Sequence, residues 1–238
     1  RCSVEDLWGI GYRSAEKLKS FGISTALQLS QADSSWVRRH LSITGVRLQK
    51  ELQGIICSPV NGLTPRKQNI RTARSFGTEV GTYAALKEAV STFAVNCANK
   101  LRKEGSSSST ITTFIHTNPF KPHATQYSNA LTIKLEVPSN DNIEIVSAAI
   151  KALKKIYRPG LAYKKAGVLV GSIVPASQVQ LGLFDDVDRT KRTNLMKSLD
   201  SINSRLGRDK VRLAVQGFDR KWRLRQERLS PCYTTRFS

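Results

Sequence analysis

At 238 residues the chain has room for one large or two small domains, and its formal charge of +20, from 38 Lys and Arg against 18 Asp and Glu, calls for an extended anionic partner. The excess is +3 over residues 1–60, +10 over 61–178 and +7 over 179–238, so it does not sit in a single basic arm. There is no apolar run of 18 residues and no basic amphipathic helix with large aromatics, which argues against membrane as the anion, and Cys2, Cys57, Cys97 and Cys232 with His40, His116 and His123 show neither disulfide nor zinc spacing.

The first informative stretch runs from Leu7 to Leu29. Gly9 and Gly11 bracket Ile10 in a turn tight enough to want residues without a side chain, and the helix that follows begins with backbone N–H groups that have no internal partner. Such a turn offers its donors to a phosphate. Val4 and Leu7 predict a short helix before it; Ala15, Leu18 and Phe21 share one face of the helix after it, and Gly22 ends that helix. The unit resembles the helix-hairpin-helix motif of DNA-repair proteins, whose Gly-Ile-Gly holds the DNA backbone without reading sequence. An ordinary αα-hairpin with a glycine turn is the plainer reading of the same residues. Helical spacing continues from Ser30 to Ile56 through Val37, Leu41, Leu48 and Leu52, which makes residues 1–60 a small all-α domain. Two prolines, a glycine and adjacent charges then mark a linker over 61–68.

Past the linker the period changes. Ile70 to Thr78 reads as a strand, and Thr82 to Glu104 as a long helix with Leu86, Val90, Phe93, Cys97 and Leu101 on one face and Lys100, Arg102 and Lys103 at its negative end. A β-branched strand covers Thr110 to Thr117. A clean alternation of Leu131, Ile133, Leu135 and Val137 gives a half-buried strand. Ile143 to Tyr157 is a second amphipathic helix through Ile143, Val146, Ile150 and Leu153, and Ala166 to Val174 is a fourth strand. The predicted fold class is α+β: over residues 69–175 a βαββαβ unit puts two helices on one face of a four-stranded sheet and leaves the other open, with Lys134, Lys164 and Lys165 as candidates for a nucleic-acid surface. Over 176–188, Gln180-Leu181-Gly182-Leu183-Phe184 followed by Asp185, Asp186 and Asp188 has the spaced anchors of a peptide that docks into a groove. Residues 189–238 form an extension with a basic helix over Thr190 to Leu206 and a short strand over Val211 to Val215.

Hairpin, linker, βαββαβ and the Gln-Leu-Gly-Leu-Phe peptide occur here in the order of the C-terminal half of Y-family translesion DNA polymerases. Arg74-Ser75-Phe76-Gly77, Thr113 to Phe120, Leu229-Ser230-Pro231 and Tyr233-Thr234-Thr235-Arg236 narrow the resemblance to the UmuC type, from Val4 to the end. The resemblance implies a thumb, a little finger binding template-primer DNA, a sliding-clamp peptide and an extension toward the processed UmuD dimer. The DNA-contacting residues would be Gly9, Ile10, Gly11, Arg13, Arg71, Arg74, Lys134, Lys164 and Lys165, and the clamp residues Gln180, Leu181, Leu183 and Phe184. It also implies that the two Mg²⁺ ions of nucleotidyl transfer belong to a palm domain without counterpart here, because no Asp-Glu dipeptide occurs. No cofactor is then expected on this chain, which should add no nucleotide alone. With Arg1 almost on the hairpin and Met196 the only methionine, the chain is expected to be part of something longer, and its widely spaced cysteines and lack of a visible signal peptide predict a cytoplasmic location.

Three other readings compete. An RNA-recognition domain shares the topology but needs stacking aromatics, for which Phe76 and Phe114 are the only candidates. A helix-hairpin-helix glycosylase needs a catalytic Asp after the hairpin, and Asp33 sits where a helix cap is wanted. A free-standing interaction protein that engages the clamp without DNA fits the peptide and leaves the charge unexplained.

Overall fold

The computed structural model describes residues 2–58, 66–182, 185–224 and 228–230. The linker residues 59–65, the clamp-peptide residues Leu183 and Phe184, and Pro231 with Tyr233 to Arg236 lie outside the described residues. The chain divides into two units, Arg1–Pro65 and Arg66–Ser238.

In the first unit a single 3-10 turn, Val4–Asp6, stands where a short helix was expected, and leads into the Gly9–Gly11 turn and helix α1 (Tyr12–Ser20). α1 closes as a Schellman motif: Gly22, at φ +80°, donates to the Lys19 carbonyl and Ile23 donates to the Leu18 carbonyl. Helix α2 (Ala26–Gln31) starts with a capping box between Thr25 and Gln28. Helix α3 (Ser34–Leu52) starts on Asp33, whose carboxylate accepts from the Trp36 N–H at 2.8 Å, and kinks at Ser42. Asp33 is therefore a helix cap. Val4, Leu18, Leu29 and Val37 form the core, and the buried Gln49 amide is satisfied by the Ala32 carbonyl and the Ser34 hydroxyl. Phe21 is half exposed and packs edge-on against Trp36.

In the second unit strands β1 (Ile70–Val80), β2 (Ser106–Thr117), β3 (Ser128–Ser139) and β4 (Tyr163–Pro175) alternate with helices α4 (Tyr83–Lys103) and α5 (Asn142–Ile156) in the βαββαβ order. The sheet order is β1-β4-β2-β3, antiparallel throughout. Each βαβ crossover thus has the other unit's strand inserted between its own two. α4 buries the face read from sequence and more: Ala89, Ala94 and Ala98 are also inaccessible. On α5 the buried stripe is Ile145, Val146, Ala148, Ala149, Ala152, Leu153 and Ile156, while Ile143 and Ile150 lie at its margin. Alanines on both helices let the pair approach closely, so the stripe is set by small residues that a periodicity of large ones does not mark.

The extension belongs to this unit. Helix α6 (Arg189–Leu206) buries only Met196 and is held by guanidinium groups. Arg102 donates to both oxygens of Asp200 (2.6 and 2.8 Å), to the Asn140 carbonyl and to Asn142 and Asn99, and Arg192 lies 3.6 Å from Asp141. The strand expected over Val211 to Val215 is instead a 3-10 turn, Ala214–Gln216. Its chain neither alternates in burial nor finds a sheet edge there; Leu213 and Val215 pack on the main core from within the turn. Trp222, 6% exposed, packs edge-on against Phe76 and Phe93, and its indole N–H donates to Glu88 at 2.9 Å.

Trp222→Ala should lower the unfolding free energy by about 3–5 kcal/mol, the usual cost of emptying a buried aromatic site. Urea unfolding measures it; a loss within error would mean that the extension is not part of the core.

Candidate nucleic-acid interface

Two surfaces assemble the residues singled out above. The first is the Gly9–Gly11 turn. Gly9 takes φ +101°, a conformation that a side chain resists, whereas Gly11 is extended (φ −83°, ψ 166°) and caps α1 without a side-chain bond. The strain expected of both glycines therefore resides in Gly9. Ile10 donates to the Leu7 carbonyl, and the Gly11 carbonyl accepts from Ser14 and Ala15. The N–H groups of Gly11, Tyr12 and Arg13 have no hydrogen-bond partner among the described residues and face solvent at the positive end of a helix. Nothing lies within 4 Å of a Cβ placed on either glycine, so the approach is clear. Two aromatics that the sequence reading passed over flank the turn, Trp8 at 95% and Tyr12 at 81% exposure. Single aromatics in a glycine turn carry no period that would flag them.

The second surface is the uncovered face of the sheet. Strand register sorts the candidates. Arg71, Ala73 and Ser75 of β1 pair with Leu169, Gly167 and Lys165 of β4, and these pair in turn with Thr112, Phe114 and His116 of β2. Thr110, Thr112, Phe114 and His116 face Lys134, Thr132, Ala130 and Ser128 of β3. Arg71, Lys165 and Lys134 therefore share the open face.

At its centre Phe114 lies on Gly167, where any Cβ would run into the ring, and the Arg71 guanidinium covers it 4.3 Å from the centroid. The Thr112 and Thr132 hydroxyls are hydrogen-bonded to each other at 2.7 Å, and His116 Nδ1 pairs with the Ser128 hydroxyl at 2.6 Å. Burial, then Lys165 and Arg71, push the His116 imidazole below its ordinary pKa.

Two of the sequence candidates are placed differently. Arg74 pairs with the buried Ala166, which puts its side chain on the helix-bearing side, exposed along the β1 edge. Lys164 donates to the Phe76 carbonyl at 2.8 Å, within the span where the β1–β4 register shifts between Ser75 and Val80, and so tethers the irregular strand. A one-residue shift in parity reverses a strand's faces, and sequence alone does not show a bulge. The stacking platform of the RNA-recognition reading is missing as well, because Phe76 is buried against Trp222 and Phe114 lies under Arg71.

In the peptide segment, Gln180 and Leu181 are exposed, the latter at 59%, while Leu183 and Phe184 lie outside the described residues. The segment is anchored on both sides. Ala176 donates to the Gly105 carbonyl at 2.8 Å, and Asp185 forks to Arg189 at 2.7 and 3.0 Å, with Arg189 also reaching Glu144. Arg189 holds the Asp185 carboxyl below its usual pKa. Asp188 caps α6 by accepting from the Lys191 N–H. The acids after the peptide are thus two structural carboxylates and the exposed Asp186. Among the described residues no group of three or more His, Cys, Asp or Glu is arranged to hold a metal ion, and no helix is long and apolar enough to cross a membrane.

Residues 67–183 match the impB/mucB/samB family C-terminal domain, and residues 193–238 match a domain of unknown function, DUF4113. The chain is 39% identical over 236 residues to Protein UmuC of Salmonella typhimurium, covering 99% of this chain and 56% of that protein. It is 40% identical over 235 residues to Protein ImpB of the same species, covering 98% and 55%. It is also 27% identical over 214 residues to DNA polymerase IV of Desulfatibacillum aliphaticivorans, covering 89% and 52%. The chain thus spans a little over half the length of these relatives.

Gly9→Ala should cost roughly 1–2 kcal/mol, the penalty of a left-handed backbone for a residue with a Cβ. Gly11→Ala should change stability by less than about 0.5 kcal/mol, as expected of an unstrained surface site. Thermal melts of the two variants distinguish them, and equal losses would contradict the assignment of strain to Gly9.

Proposed function

We propose, from the match of residues 67–183 to the impB/mucB/samB family C-terminal domain and the likeness to UmuC and ImpB, that the chain is the part of a UmuC-type, Y-family translesion DNA polymerase that holds template-primer DNA and docks on the sliding clamp. The observation that carries the DNA reading is the set of free N–H groups at Gly11, Tyr12 and Arg13, exposed at the start of α1. Three donors at the positive end of a helix suit a phosphate oxygen and are indifferent to the base attached to it. Arg13 adds a charge beside them. The open face contributes Arg71, Lys134 and Lys165, and the Thr112–Thr132 hydroxyl pair leaves one O–H free to donate to phosphate. Backbone N–H groups, lysines and hydroxyls suit phosphate oxygens more than base edges, so the grip is on the backbone. A polymerase that crosses damaged positions needs such a grip, since it cannot rely on the identity of the bases it holds.

In this reading the transfer of nucleotides is the work of metal-binding carboxylates elsewhere in the polymerase, and Asp185 and Asp188 are structural. The chain alone should then give no Mg²⁺-dependent primer extension.

Duplex DNA binding measured across a salt series tests the DNA half of the proposal. The expected result is sequence-independent binding that weakens by about 0.9 log unit per log unit of salt for each phosphate engaged. A flat salt response, or discrimination between sequences beyond about tenfold, would overturn it.

The clamp half rests on the Gln180 to Phe184 sequence, of which Gln180, Leu181 and Gly182 are exposed between the end of β4 and the Asp185–Arg189 fork. Leu183→Ala with Phe184→Ala should weaken the complex with the bacterial clamp on the order of a hundredfold or more, from about 1.5–3 kcal/mol for each buried side chain. DNA affinity and melting temperature should stay unchanged. A double variant that unfolds, or that still binds the clamp as before, would assign both residues to the fold instead.

A further inference from the structure

Beyond α6 the extension crowds arginines together. Arg220 is 5% exposed and takes a φ of 45°, rare for a residue with a side chain. Its Nη1 donates to Asp209 at 2.7 Å, while its Nε and Nη2 are buried with no partner among the described residues. Arg212 repeats the pattern: Nη1 donates to the Gly217 carbonyl at 3.0 Å, the guanidinium lies 4.6 Å over the Phe218 ring, and Nε is buried without a partner. Arg208 and Arg223 stand exposed at the same place, the former donating to Asn96 at 2.9 Å. Of the four guanidinium groups, Arg220 is the one paired with the Asp209 carboxylate. Burial, together with Arg220, Arg208 and Arg212, pushes the Arg223 guanidinium below its ordinary pKa, with Asp209 opposing. Neighbouring like charges cost stability, and an anion with several acceptor oxygens set against the exposed Arg208 and Arg223 relieves that cost.

We propose that Arg208, Arg212, Arg220 and Arg223 form a second phosphate-binding site, which takes the backbone of a DNA strand beyond the open face of the sheet. The inference rests on the DNA reading above and extends it to a segment that the hairpin and the sheet do not include. DNA is favoured over an acidic protein segment by continuity. The Trp222 carbonyl accepts from the Gly77 N–H at 3.2 Å, so Arg223 follows directly along the edge of β1, the strand that presents Arg71 on the open face and Arg74 at its rim. One strand of phosphates can therefore pass from the sheet to the cluster.

Salt-dependent binding of the whole chain to a long duplex tests the site. Arg208→Gln with Arg223→Gln alters only exposed side chains and should leave the melting temperature unchanged. The slope of log affinity against log salt should fall by about 0.9 for each phosphate lost, so by roughly 1–2, with affinity at moderate salt down about tenfold or more. Lys154→Gln with Lys155→Gln removes the same charge from the exposed side of α5 and should leave the slope near that of the unaltered chain. An equal effect from both pairs, or no effect from the arginine pair, overturns the site and leaves the cluster to a protein partner. If the double variant does not fold, Arg223→Gln alone is read by the same criterion. Failure of the unaltered chain to bind duplex would instead sink the DNA reading itself.

Discussion

Arg102 is the group on which the second unit turns. Its side chain is nearly buried, and its donors are distributed over Asp200, Asn140, Asn142 and Asn99. One guanidinium thus ties the end of α4 to the turn that begins α5 and to α6. A charge at that depth is tolerable only because every direction it points in is met by an acceptor, and removing one acceptor would leave a cost larger than the pair's net benefit. Arg189 acts similarly on a smaller scale by joining Asp185 to Glu144. α6 buries little of its own, so its position follows from these contacts. Gln180 to Gly182 before it and the arginine cluster after it take their positions in turn.

The same arrangement explains how a chain of such high charge folds without frustrating its own surface. Acidic side chains are largely committed to internal ties: Glu5 with Lys19, Glu79 with Lys121, Glu144 and Asp185 with Arg189, Asp200 with Arg102, Asp209 with Arg220. What remains outside is chiefly basic. A field of one sign draws in a polyanion from a distance before any contact forms, and it favours sliding along that polymer over stopping at one sequence.

Much of this could be read in the residues. Leu86, Val90, Phe93, Cys97 and Leu101 mark the buried face of α4 because large side chains at helical spacing can have no other use, and the alternation through Leu131 to Val137 marks β3 equally well. Gly22 and Asp33 announce helix ends by their local chemistry. The misreadings share a physical origin. The inner stripe of α5 depends on alanines, whose contribution is closeness to α4 and not bulk. The face of Arg74 depends on its pairing with Ala166, and that of Lys164 on an irregular stretch of β1, both of which pairing decides and composition does not. Trp222 stands alone in a basic segment, and its place in the core is settled by Phe76 and Phe93, far away in the chain. Of the candidate interface, the Gly9–Gly11 turn is visible in sequence because its donors are local. The arginine cluster is not, since it forms only when the segment beyond α6 folds back over α4.

The bond between the Gly77 N–H and the Trp222 carbonyl has a consequence for how the protein behaves in a crowded solution. β1 is an outer strand, and an outer strand with free amides is a template on which another chain can build. A Cβ at Gly77 would strike the Arg223 carbonyl, so the extension lies hard against that rim and leaves no room for an intruding strand. At the opposite rim β3 carries Pro138, which has no amide to offer. The extension thus covers part of the β1 edge, and a chain lacking residues 217–224 would leave that edge free for another strand to pair with.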